Sequence, residues 1–389
     1  MKIAVIGVGT AGITSLCHSL RWLTTDNSSV TAIYDPTVSI LEIGESMDPG
    51  FPTVLFEGTG FTLVEDANEL DATMKLGVLW KDWRKKDFTS LMHPPSYAMH
   101  FNNGKLKDYC FDKFNKLWSD QFNIVEGAVT TLENKNSYVS VIVNGVEHTF
   151  DYVIDCRGTP KDFSEYTLIN NPVNHCLVHS IDEPGNWNTT IHQAHRNGWM
   201  FGIPLTTRQG WGYLYNDNIT SRDDAVKELE ELFNTTELNL KEFKFTSYYA
   251  KKFFDGRIIK NGNAAMFFEP MEALSGYFYS TVLRNLVDYI YGECSVNDVN
   301  SRLTDAAQDI ENFINYAYHG GSTFNSPFWN NTVIQTSKKL QNDSRWQITL
   351  SEIKSCIHNG KIIHERSIAR WYIRHWINWD KNLGYNYFT

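Results

Sequence analysis

The stretch that decides the fold is residues 2–35, which read KIAVIGVGTAGITSLCHSLRWLTTDNSSVTAIYD. Residues 2–6 form a short apolar run that is typical of a buried parallel strand. Residues 10–23 follow as a helix, and residues 30–34 follow as a second strand. A strand, a helix and a strand within about 35 residues predict a βαβ unit and therefore an α/β fold.

A glycine-rich motif, G-x-G-x-x-G, joins the first strand to the helix at residues 7–12. Gly7 allows the tight turn, Gly9 lets a pyrophosphate approach the backbone, and Gly12 lets the helix pack close to the strand. Thr10 and Ala11 would place the phosphate at the helix N-terminus, where free N–H groups favour anions. The motif predicts a dinucleotide site; the alternative is a glycine turn that only packs.

Two acidic positions bear on which dinucleotide is bound. Asp35, at the end of the second strand, is the candidate for a ribose hydroxyl, although it comes slightly later than usual. Residues 152–156 form another buried strand, and Asp155-Cys156-Arg157-Gly158 follows the pattern in which FAD proteins close such a strand. Its alternative is a plain buried strand that ends in a turn. Together the glycine motif at 7–12 and this second strand end favour FAD over NAD. Since the sequence has no second G-x-G-x-x-G, the flavin would need reduction from outside.

The composition is that of a globular chain with an acidic balance. Of 389 residues, 42% are hydrophobic and 14% aromatic, and the formal net charge is −10. The length suggests two or three packing units. A nucleic-acid-binding protein needs a basic face, and no dense Lys/Arg block is present, so no nucleic-acid partner is expected. No run of about 18 apolar residues predicts a membrane helix.

Cysteine and histidine spacing bears on redox state and metals. The six cysteines show no CxxC spacing, and no export signal precedes them, which indicates reduced thiols and a cytoplasmic protein. The twelve histidines show no ligand spacing, so no metal site is expected. His192 and His195, three residues apart, are interpreted as polar core or surface residues.

Further elements follow from local patterns. Strands at 138–143 and 146–150 flank Asn144-Gly145, a strong signal for a type I′ hairpin. The other predicted elements are a strand at 210–216, helices at 223–233, 280–292, 299–318 and 347–357, and a terminal helix or lid at 364–379. The expected fold class is α/β: an FAD-binding Rossmann-like domain with a mixed β-sheet substrate region and a helical C-terminal part. We expect a core at 1–280, with nucleotide-binding parts at 1–60, 150–165 and 255–280, and a mainly helical substrate-side region at 281–389.

Several short segments, taken in order, resemble the flavin-dependent halogenases, the family that includes tryptophan halogenases. They are the motif at 7–12, GES at 44–46 with Pro49, MKLG at 74–77 followed by Trp83, GWMFGIP at 198–204, RQGWGYLY at 208–215, FEPME at 268–272 and SPFW at 326–329. Each is short, but the ordered set is specific. The sequence departs from the family at Phe201, where the second Trp of a W-x-W-x-I-P signature is expected, and by an extra residue after Glu272. The chain is also shorter than typical members.

The resemblance implies a two-component enzyme. FADH2 from a separate flavin reductase, dioxygen and a halide (bromide, iodide or chloride) would yield hypohalous acid. That acid would travel to a lysine and halogenate an electron-rich aromatic small molecule. Lys75 matches the family's essential lysine; its alternative is an ordinary surface lysine. Burial lowers the pKa of a lysine in general, so both charge states could be reached. Glu272 matches the family's acid, which would take the proton from the ring, with Glu269 as the competing carboxylate.

The resemblance also assigns supporting residues. Gly44, Glu45 and Ser46 would help to bind the cofactor. The backbone amides of Leu274, Ser275 and Gly276 would bind the halide, unless that segment is a plain turn. Trp199, Phe201, Ile203 and Pro204 would line the passage between flavin and substrate. Lys75 and Glu272 should then point into one cavity that Trp199 and Phe201 separate from the flavin.

Two other functions and the oligomeric state stay open at this point. The alternatives are a flavin-dependent aromatic monooxygenase, which would need its own NAD(P)H site, and a non-catalytic FAD-binding protein. A homo-oligomer is neither required nor excluded by the sequence.

Overall fold

The structure is a computed structural model that describes residues 1–40, 45–92, 96–359 and 367–388. Its helices are α1 (Thr10–Trp22), α2 (Gly50–Thr59), α3 (Leu63–Asp66), α4 (Asn103–Leu117), α5 (Arg222–Phe233), α6 (Leu274–Ile290), α7 (Val296–Tyr318), α8 (Pro327–Asn342), α9 (Ser344–His358) and α10 (Ile373–Leu383). Short 3₁₀ turns occur at Ala67–Leu70, Gly262–Ala264 and Met271–Ala273.

The strands, in chain order, are β1 (Lys2–Ile6), β2 (Ser29–Tyr34), β3 (Glu45–Ser46), β4 (Thr73–Lys75), β5 (Gly77–Lys81), β6 (Phe88–Leu91), β7 (Ala98–Phe101), β8 (Phe122–Glu126), β9 (Val129–Asn134), β10 (Val139–Val143), β11 (Val146–Phe150), β12 (Tyr152–Asp155), β13 (Tyr166–Ile169), β14 (His175–Ile181), β15 (Thr190–His195), β16 (Gly198–Pro204), β17 (Gln209–Tyr215), β18 (Leu240–Lys244), β19 (Ser247–Ala250), β20 (Phe254–Asp255), β21 (Ile258–Lys260), β22 (Met266–Phe267), β23 (Ser367–Ile368) and β24 (Trp371–Tyr372).

The chain divides into two units, each made of three segments. Unit 1 comprises Met1–Met74, Ser96–Ile169 and Ser247–Thr304. Unit 2 comprises Lys75–Pro95, Asn170–Thr246 and Asp305–Thr389. The functional boundary expected after residue 280 is a separate matter and stays a prediction.

Unit 1 is built on a six-stranded sheet in the order β20-β21-β12-β1-β2-β8. β1 pairs in parallel with β2 on one side and with β12 on the other, so the βαβ unit and the strand at 152–156 are confirmed. A second, antiparallel sheet in the order β11-β10-β9 packs its valines against this one through Ala4, Ile6, Ile33 and Val153. Its hairpin turns at Asn144 (φ 49°) and Gly145 (φ 82°), which confirms the type I′ turn.

Unit 2 is built on a seven-stranded sheet in the order β18-β14-β17-β16-β15-β5-β6, in which β5 and β15 are parallel and the other pairs antiparallel. Side chains alternate between its two faces. On one face Leu177, Met200, Tyr213 and Tyr215 pack against Ala225 and Leu229 of α5. The opposite face carries Trp80, His192, Trp199 and Phe201.

The C-terminal part of unit 2 is held by stacked aromatic rings. Phe313 of α7 stacks on Trp371 with 4.2 Å between ring centroids and contacts Trp379 at 4.7 Å. Asp380 accepts hydrogen bonds from the backbone N–H groups of Tyr387 (2.9 Å) and Phe388 (3.1 Å). The last residues described are therefore tied to α10.

Two predicted helix starts differ from the structure by six or more residues. The helix predicted from 280 begins at Leu274, directly after Ala273, whose left-handed backbone (φ 56°) bounds the helix. The terminal helix predicted over 364–379 begins at Ile373, after the β23–β24 hairpin, because Ala369 (φ 43°) and Arg370 (φ 80°) leave helical backbone geometry. Residues 364–366 lie outside the described residues.

Among the described helices, none is both long and apolar enough to cross a membrane.

Candidate active site

In the glycine loop of unit 1, a different feature of the structure explains why a glycine stands at each of three positions. Gly7 has φ 95°, and a Cβ atom there would lie 2.5 Å from the carbonyl oxygen of Cys156. A Cβ atom at Gly12 would lie 2.0 Å from the carbonyl oxygen of Gly7. A Cβ atom at Gly9 would meet no atom within 4 Å. Two glycines are thus required by the protein itself, and the third borders open space that a phosphate could enter.

The start of α1 also fits an anion. The helix begins at Thr10, its N-cap Gly9 makes no side-chain hydrogen bond, and no acidic residue stands in its first turn. The N–H groups of such a turn have no partner within the helix, and the helix dipole favours negative charge there. Gly9, Thr10, Ala11 and Gly12 therefore fit the phosphates of a dinucleotide such as FAD.

Asp35 lies directly after β2, at the edge of the sheet where a ribose acid is expected. Its Oδ1 accepts hydrogen bonds from the Thr37 backbone N–H (2.9 Å) and from Thr37 Oγ1 (2.6 Å). These bonds hold the pKa of Asp35 below its usual value, so the carboxylate stays ionised. Its role toward a ribose stays a prediction.

Asp155, the last residue of β12, is paired within the chain. Arg157 donates to it through Nε (2.9 Å) and Nη2 (2.8 Å), and this pairing raises the pKa of Arg157. Gly158 (φ 91°) then turns the chain. The turn after the strand is as predicted. The carboxylate of Asp155 forms an ion pair with Arg157.

Glu45 and Ser46 form β3, which pairs with β7; Gly44, assigned with them to the cofactor, lies outside the described residues. Asn103 Nδ2 donates to Glu45 Oε1 at 3.2 Å. Burial of the carboxyl group raises the pKa of Glu45 to about 7, although Thr10 and Asn103 act in the opposite direction. This carboxyl, in contact with the first helical residue after the glycine loop, therefore titrates near neutral pH.

The segment around Glu272 has an unusual backbone. Glu272 (φ 55°, ψ 17°) and Ala273 (φ 56°, ψ 34°) are both left-handed, and each costs about 1 kcal/mol in a residue other than glycine. Such strain tends to collect at functional positions. Glu272 is half-buried, whereas the competing Glu269 is 1% exposed.

Leu274, Ser275 and Gly276, assigned to the halide, form the first turn of α6. Their amides are therefore those of a helix start and not of an open loop, which still suits an anion. A Cβ atom at Gly276 would lie 2.7 Å from Met47 Cε, so this helix start packs against the loop that follows Ser46. Unit 1 thus brings the segment predicted to bind the halide beside the segment predicted to bind the cofactor.

Lys75 belongs to unit 2 and is 1% exposed, so it is not an ordinary surface lysine. The next residue, Leu76, donates its backbone N–H to the Asn188 carbonyl at 2.8 Å, which places the lysine's segment beside the start of β15. Lysine is almost never fully buried without a specific reason.

The residues predicted to line the tunnel belong to a buried aromatic wall in unit 2. Trp83 packs between Trp80 (4.9 Å), Trp199 (6.3 Å) and Trp329 (5.2 Å), and Trp199 contacts Phe201 at 6.5 Å between ring centroids. Ile203 and Pro204 end the same strand and are buried too.

The ring of Phe201 lies directly over Gly212. A Cβ atom at Gly212 would come within 2.1 Å of that ring, which explains why a glycine stands opposite it on β17. Phe201, the departure from the family signature, is therefore accommodated by close packing.

The tryptophan halogenase family model matches residues 2–122 and 84–348. The chain belongs to the tryptophan halogenase family. It is therefore a flavin-dependent halogenase by class, and an enzyme. The α/β fold class and the family resemblance drawn from the ordered motifs are both confirmed.

Individual relatives of this halogenase are distant in sequence. Tryptophan 7-halogenase RebH from Lentzea aerocolonigenes is 22% identical over 417 residues, which cover 84% of this chain and 78% of that protein. A tryptophan halogenase from Shewanella frigidimarina has a TM-score of 0.79 at 18% identity, covering 98% of this chain and 88% of that one. A flavin-dependent halogenase from Xanthomonas campestris has a TM-score of 0.75 at 16% identity, covering 87% and 83%. At these identities the structural likeness shows the fold.

His192, to which the sequence gives no chemical role, lies beside the predicted tunnel residue Trp199. His192 is 1% exposed, and its ring contacts Trp80 (5.2 Å) and Trp199 (4.8 Å) edge to face. Burial, and next the positive charge of Lys75, hold the pKa of His192 well below its usual value, so the ring is neutral. Strict alternation along 190–195 could have placed it on the face of Trp199, but only once the pairing of β15 with β16 was known.

The site residues fall into two groups. Lys75, His192, Trp199 and Phe201 belong to unit 2, whereas the glycine loop, Glu45 and Glu272 belong to unit 1. The common cavity expected for Lys75 and Glu272 stays a prediction. Among the described residues, no group of three or more His, Cys, Asp or Glu side chains is arranged to hold a metal ion.

Proposed function

We propose that this protein is a two-component halogenase. It takes FADH2 from a separate flavin reductase and uses dioxygen and a halide (bromide, iodide or chloride) to halogenate an electron-rich aromatic small molecule, through hypohalous acid and Lys75. The observation that carries the proposal is the burial of Lys75 beside His192 and an aromatic wall. RebH and the other relatives are named for tryptophan, which supports an indole or a similar ring as substrate.

The cofactor is held by unit 1. Gly7, Gly9, Thr10, Ala11 and Gly12 bind its phosphates, Asp35 binds its ribose, and Glu45 and Ser46 lie along it. When bound, reduced FAD with dioxygen and halide supplies hypohalous acid.

Lys75 receives that acid. Its ammonium group donates hydrogen bonds to the hypohalous oxygen and polarises the halogen. Trp199 and Phe201 fill the space around the lysine, and their bulk keeps the substrate away from the flavin. Halogenation therefore outcompetes direct oxygenation.

Glu272 and the start of α6 complete the chemistry. The carboxylate of Glu272 accepts the proton that the substrate ring loses after halogen addition. The amides of Leu274, Ser275 and Gly276 bind the halide before it is oxidised.

The test supplies FADH2 through a separate reductase, with bromide and indole or phenol, and measures product mass. We expect a gain of bromine. The Lys75→Met variant should give no detectable brominated product while flavin is reoxidised at the parental rate, because hypobromous acid forms but is not delivered. Lys81→Met, a half-buried lysine on β5, is the matched control and should brominate normally.

Other outcomes reassign the function. A gain of oxygen with turnover driven by NADH alone indicates an aromatic monooxygenase. Flavin binding without any product indicates a non-catalytic FAD-binding protein. Bromination by Lys75→Met at the parental rate makes the lysine structural.

A further inference from the structure

His192 occupies a central position on the aromatic face of the unit 2 sheet. It pairs directly with Trp80 of β5 on one side and with Phe201 of β16 on the other. Residues directly opposite one another on neighbouring strands project to the same face. The imidazole is therefore part of a row of rings, with Trp199 against it at 4.8 Å.

The imidazole itself has no hydrogen-bond partner in the part of the chain that the structure describes. Its side chain is 1% exposed, and both Nδ1 and Nε2 lack a partner there. The backbone carbonyl of His192 is satisfied, because Trp83 Nε1 donates to it at 3.1 Å. A neutral imidazole offers one N–H donor and one lone pair. Buried polar atoms are nearly always paired, so this ring is suited to a small polar guest that the chain does not provide.

Lys75 determines what that guest can be. Burial, and next the positive charge of Lys75, lowers the pKa of His192 and keeps the ring neutral, so the pair presents one cation and one neutral acceptor. Two cations would suit a multiply charged anion, whereas this pair suits a small molecule with one O–H group and one acceptor oxygen. The surrounding indole rings suit a large, polarisable atom on that molecule.

We propose that His192 is a second binding group for the electrophile: its imidazole lone pair accepts the O–H hydrogen bond of hypohalous acid while Lys75 donates to the oxygen. This inference rests on the proposed function of Lys75. With the oxygen held at two points, the halogen is presented in one direction, and escape of hypohalous acid into solution slows.

The test follows where the halogen goes. Parent and variants receive reductase-generated FADH2, bromide and tryptophan, with a soluble hypobromous acid scavenger present. The measurements are brominated tryptophan, brominated scavenger and flavin reoxidation. His192→Phe keeps a ring of similar size and removes both nitrogens. It should lower brominated tryptophan per flavin oxidised about tenfold, the effect of one lost hydrogen bond to a reacting group. Brominated scavenger should rise by the same amount, at an unchanged rate of flavin reoxidation.

Two further variants test whether the effect is due to the nitrogen atoms of His192. His192→Gln restores one donor and one acceptor and should recover part of the lost product. His195→Phe is the matched control, because His195 is another buried histidine of the same strand whose ring contacts Tyr213 on the opposite face. It should leave the product ratio at the parental value. Thermal unfolding of each variant checks that the fold is kept.

A flavin-free experiment separates this inference from the proposed function. One equivalent of hypobromous acid is added directly to flavin-free protein with tryptophan and scavenger, and the product ratio is measured again. A parent that directs bromine to tryptophan while His192→Phe sends it to the scavenger supports the inference. Equal ratios for folded parent and His192→Phe overturn it and leave Lys75 in place. A parent whose reductase-driven reaction brominates neither tryptophan nor scavenger overturns the proposed function together with this inference.

Discussion

The two units assemble their functional residues in different ways. In unit 1 the glycine loop is one run of six residues, and each glycine is explained by its own φ angle or by the nearest backbone atom. In unit 2, the proposed site residues Lys75, His192 and Trp199 come from separate parts of the chain, and strand register sets His192 on the same face as Trp199. The difference teaches that unit 1 depends on the absence of side-chain atoms, whereas unit 2 depends on their presence.

Removing a large ring from unit 2 should have the largest effect on stability. Trp83 is fully buried among Trp80, Trp199 and Trp329, and its Nε1 satisfies the His192 carbonyl. Trp83→Ala should lower the free energy of unfolding by about 3–5 kcal/mol, because it leaves a cavity and an unpaired buried oxygen. Urea unfolding at pH 7.5 measures this.

The control for that prediction is Trp22→Ala at the end of α1. Trp22 is 48% exposed and donates to Glu57, so its loss should cost less than about 1 kcal/mol. Equal losses for the two variants would contradict the view that unit 2 depends on ring volume.

A glycine-to-alanine substitution in unit 1 should have the next largest effect on the free energy of unfolding, at Gly12 but not at Gly9. Gly12→Ala places Cβ 2.0 Å from the Gly7 carbonyl oxygen and should cost about 2–3 kcal/mol, because a backbone atom cannot move aside. Gly9→Ala meets no atom of the protein within 4 Å and should leave stability unchanged. The same Gly9→Ala should weaken FAD binding at least about tenfold, because the methyl group fills the space left for phosphate.

Thermal unfolding without FAD and a fluorescence titration with FAD measure the two quantities. If Gly9→Ala destabilises the flavin-free protein as much as Gly12→Ala, the loop is a packing turn and not a phosphate site.

The sequence predicts unit 1 better than unit 2, because unit 1 is specified by local signals and unit 2 by long-range strand pairing. The elements around the glycine loop and the Asn144-Gly145 hairpin were predicted to within about a residue, because their signals are local. Helix α8 was not predicted, although Ser326 caps it and accepts a hydrogen bond from the Trp329 N–H at 3.3 Å. Ser326-Pro327 is an ordinary helix start that lies within the family segment SPFW.

The placement of the candidate site residues is likewise beyond what local sequence patterns predict. Lys75 and Glu272 were selected through family motifs, and the burial of Lys75 could not have been derived from the three residues around it. The sequence gives His192 no metal-ligand spacing and therefore no chemical role. Its position depends on pairing with Trp80, 112 positions earlier in the chain, and sequence periodicity carries no such information.

Acid should destabilise unit 2 more steeply than unit 1. In unit 2 burial lowers the pKa of His195 and of His319 to about 4, so each contributes stability above pH 6.5 that is lost as the pH falls toward 4. In unit 1 burial also lowers the pKa of His18 to about 4, so His18 changes stability with pH in the same direction. Glu45, however, has a pKa raised to about 7 and contributes stability below pH 4.5 that is lost as the pH rises through 7. Between pH 4.5 and 6.5 the two effects in unit 1 therefore oppose each other.

Hydrogen exchange at pH 7.5 and pH 5.0, resolved by peptide, measures this difference. Protection should fall more in the strands of unit 2 than in those of unit 1. His195→Phe should remove about 1.4 kcal/mol per pH unit from the acid dependence of global unfolding between pH 4 and 6.5. An unchanged pH dependence in His195→Phe would mean that this histidine is not kept neutral by the fold.

The smallest effect should come from restoring the family's tryptophan at position 201. Phe201 is 6% exposed, its ring lies over Gly212, and Trp199 stands at 6.5 Å. Phe201→Trp adds volume to a filled site and an indole N–H that needs an acceptor, so it should cost about 1 kcal/mol. Thermal unfolding of Phe201→Trp measures the cost, and Trp211→Phe, a half-buried ring on the other face, provides the comparison. Bromination per flavin oxidised should not fall below the parental value, since the larger ring still keeps the substrate from the flavin and neither Lys75 nor His192 changes. A Phe201→Trp variant that is more stable than the parent would reveal spare volume beside Trp199. Unit 2 would then tolerate added side-chain atoms at the position where it departs from its family, and its contrast with the glycine loop of unit 1 would be even sharper.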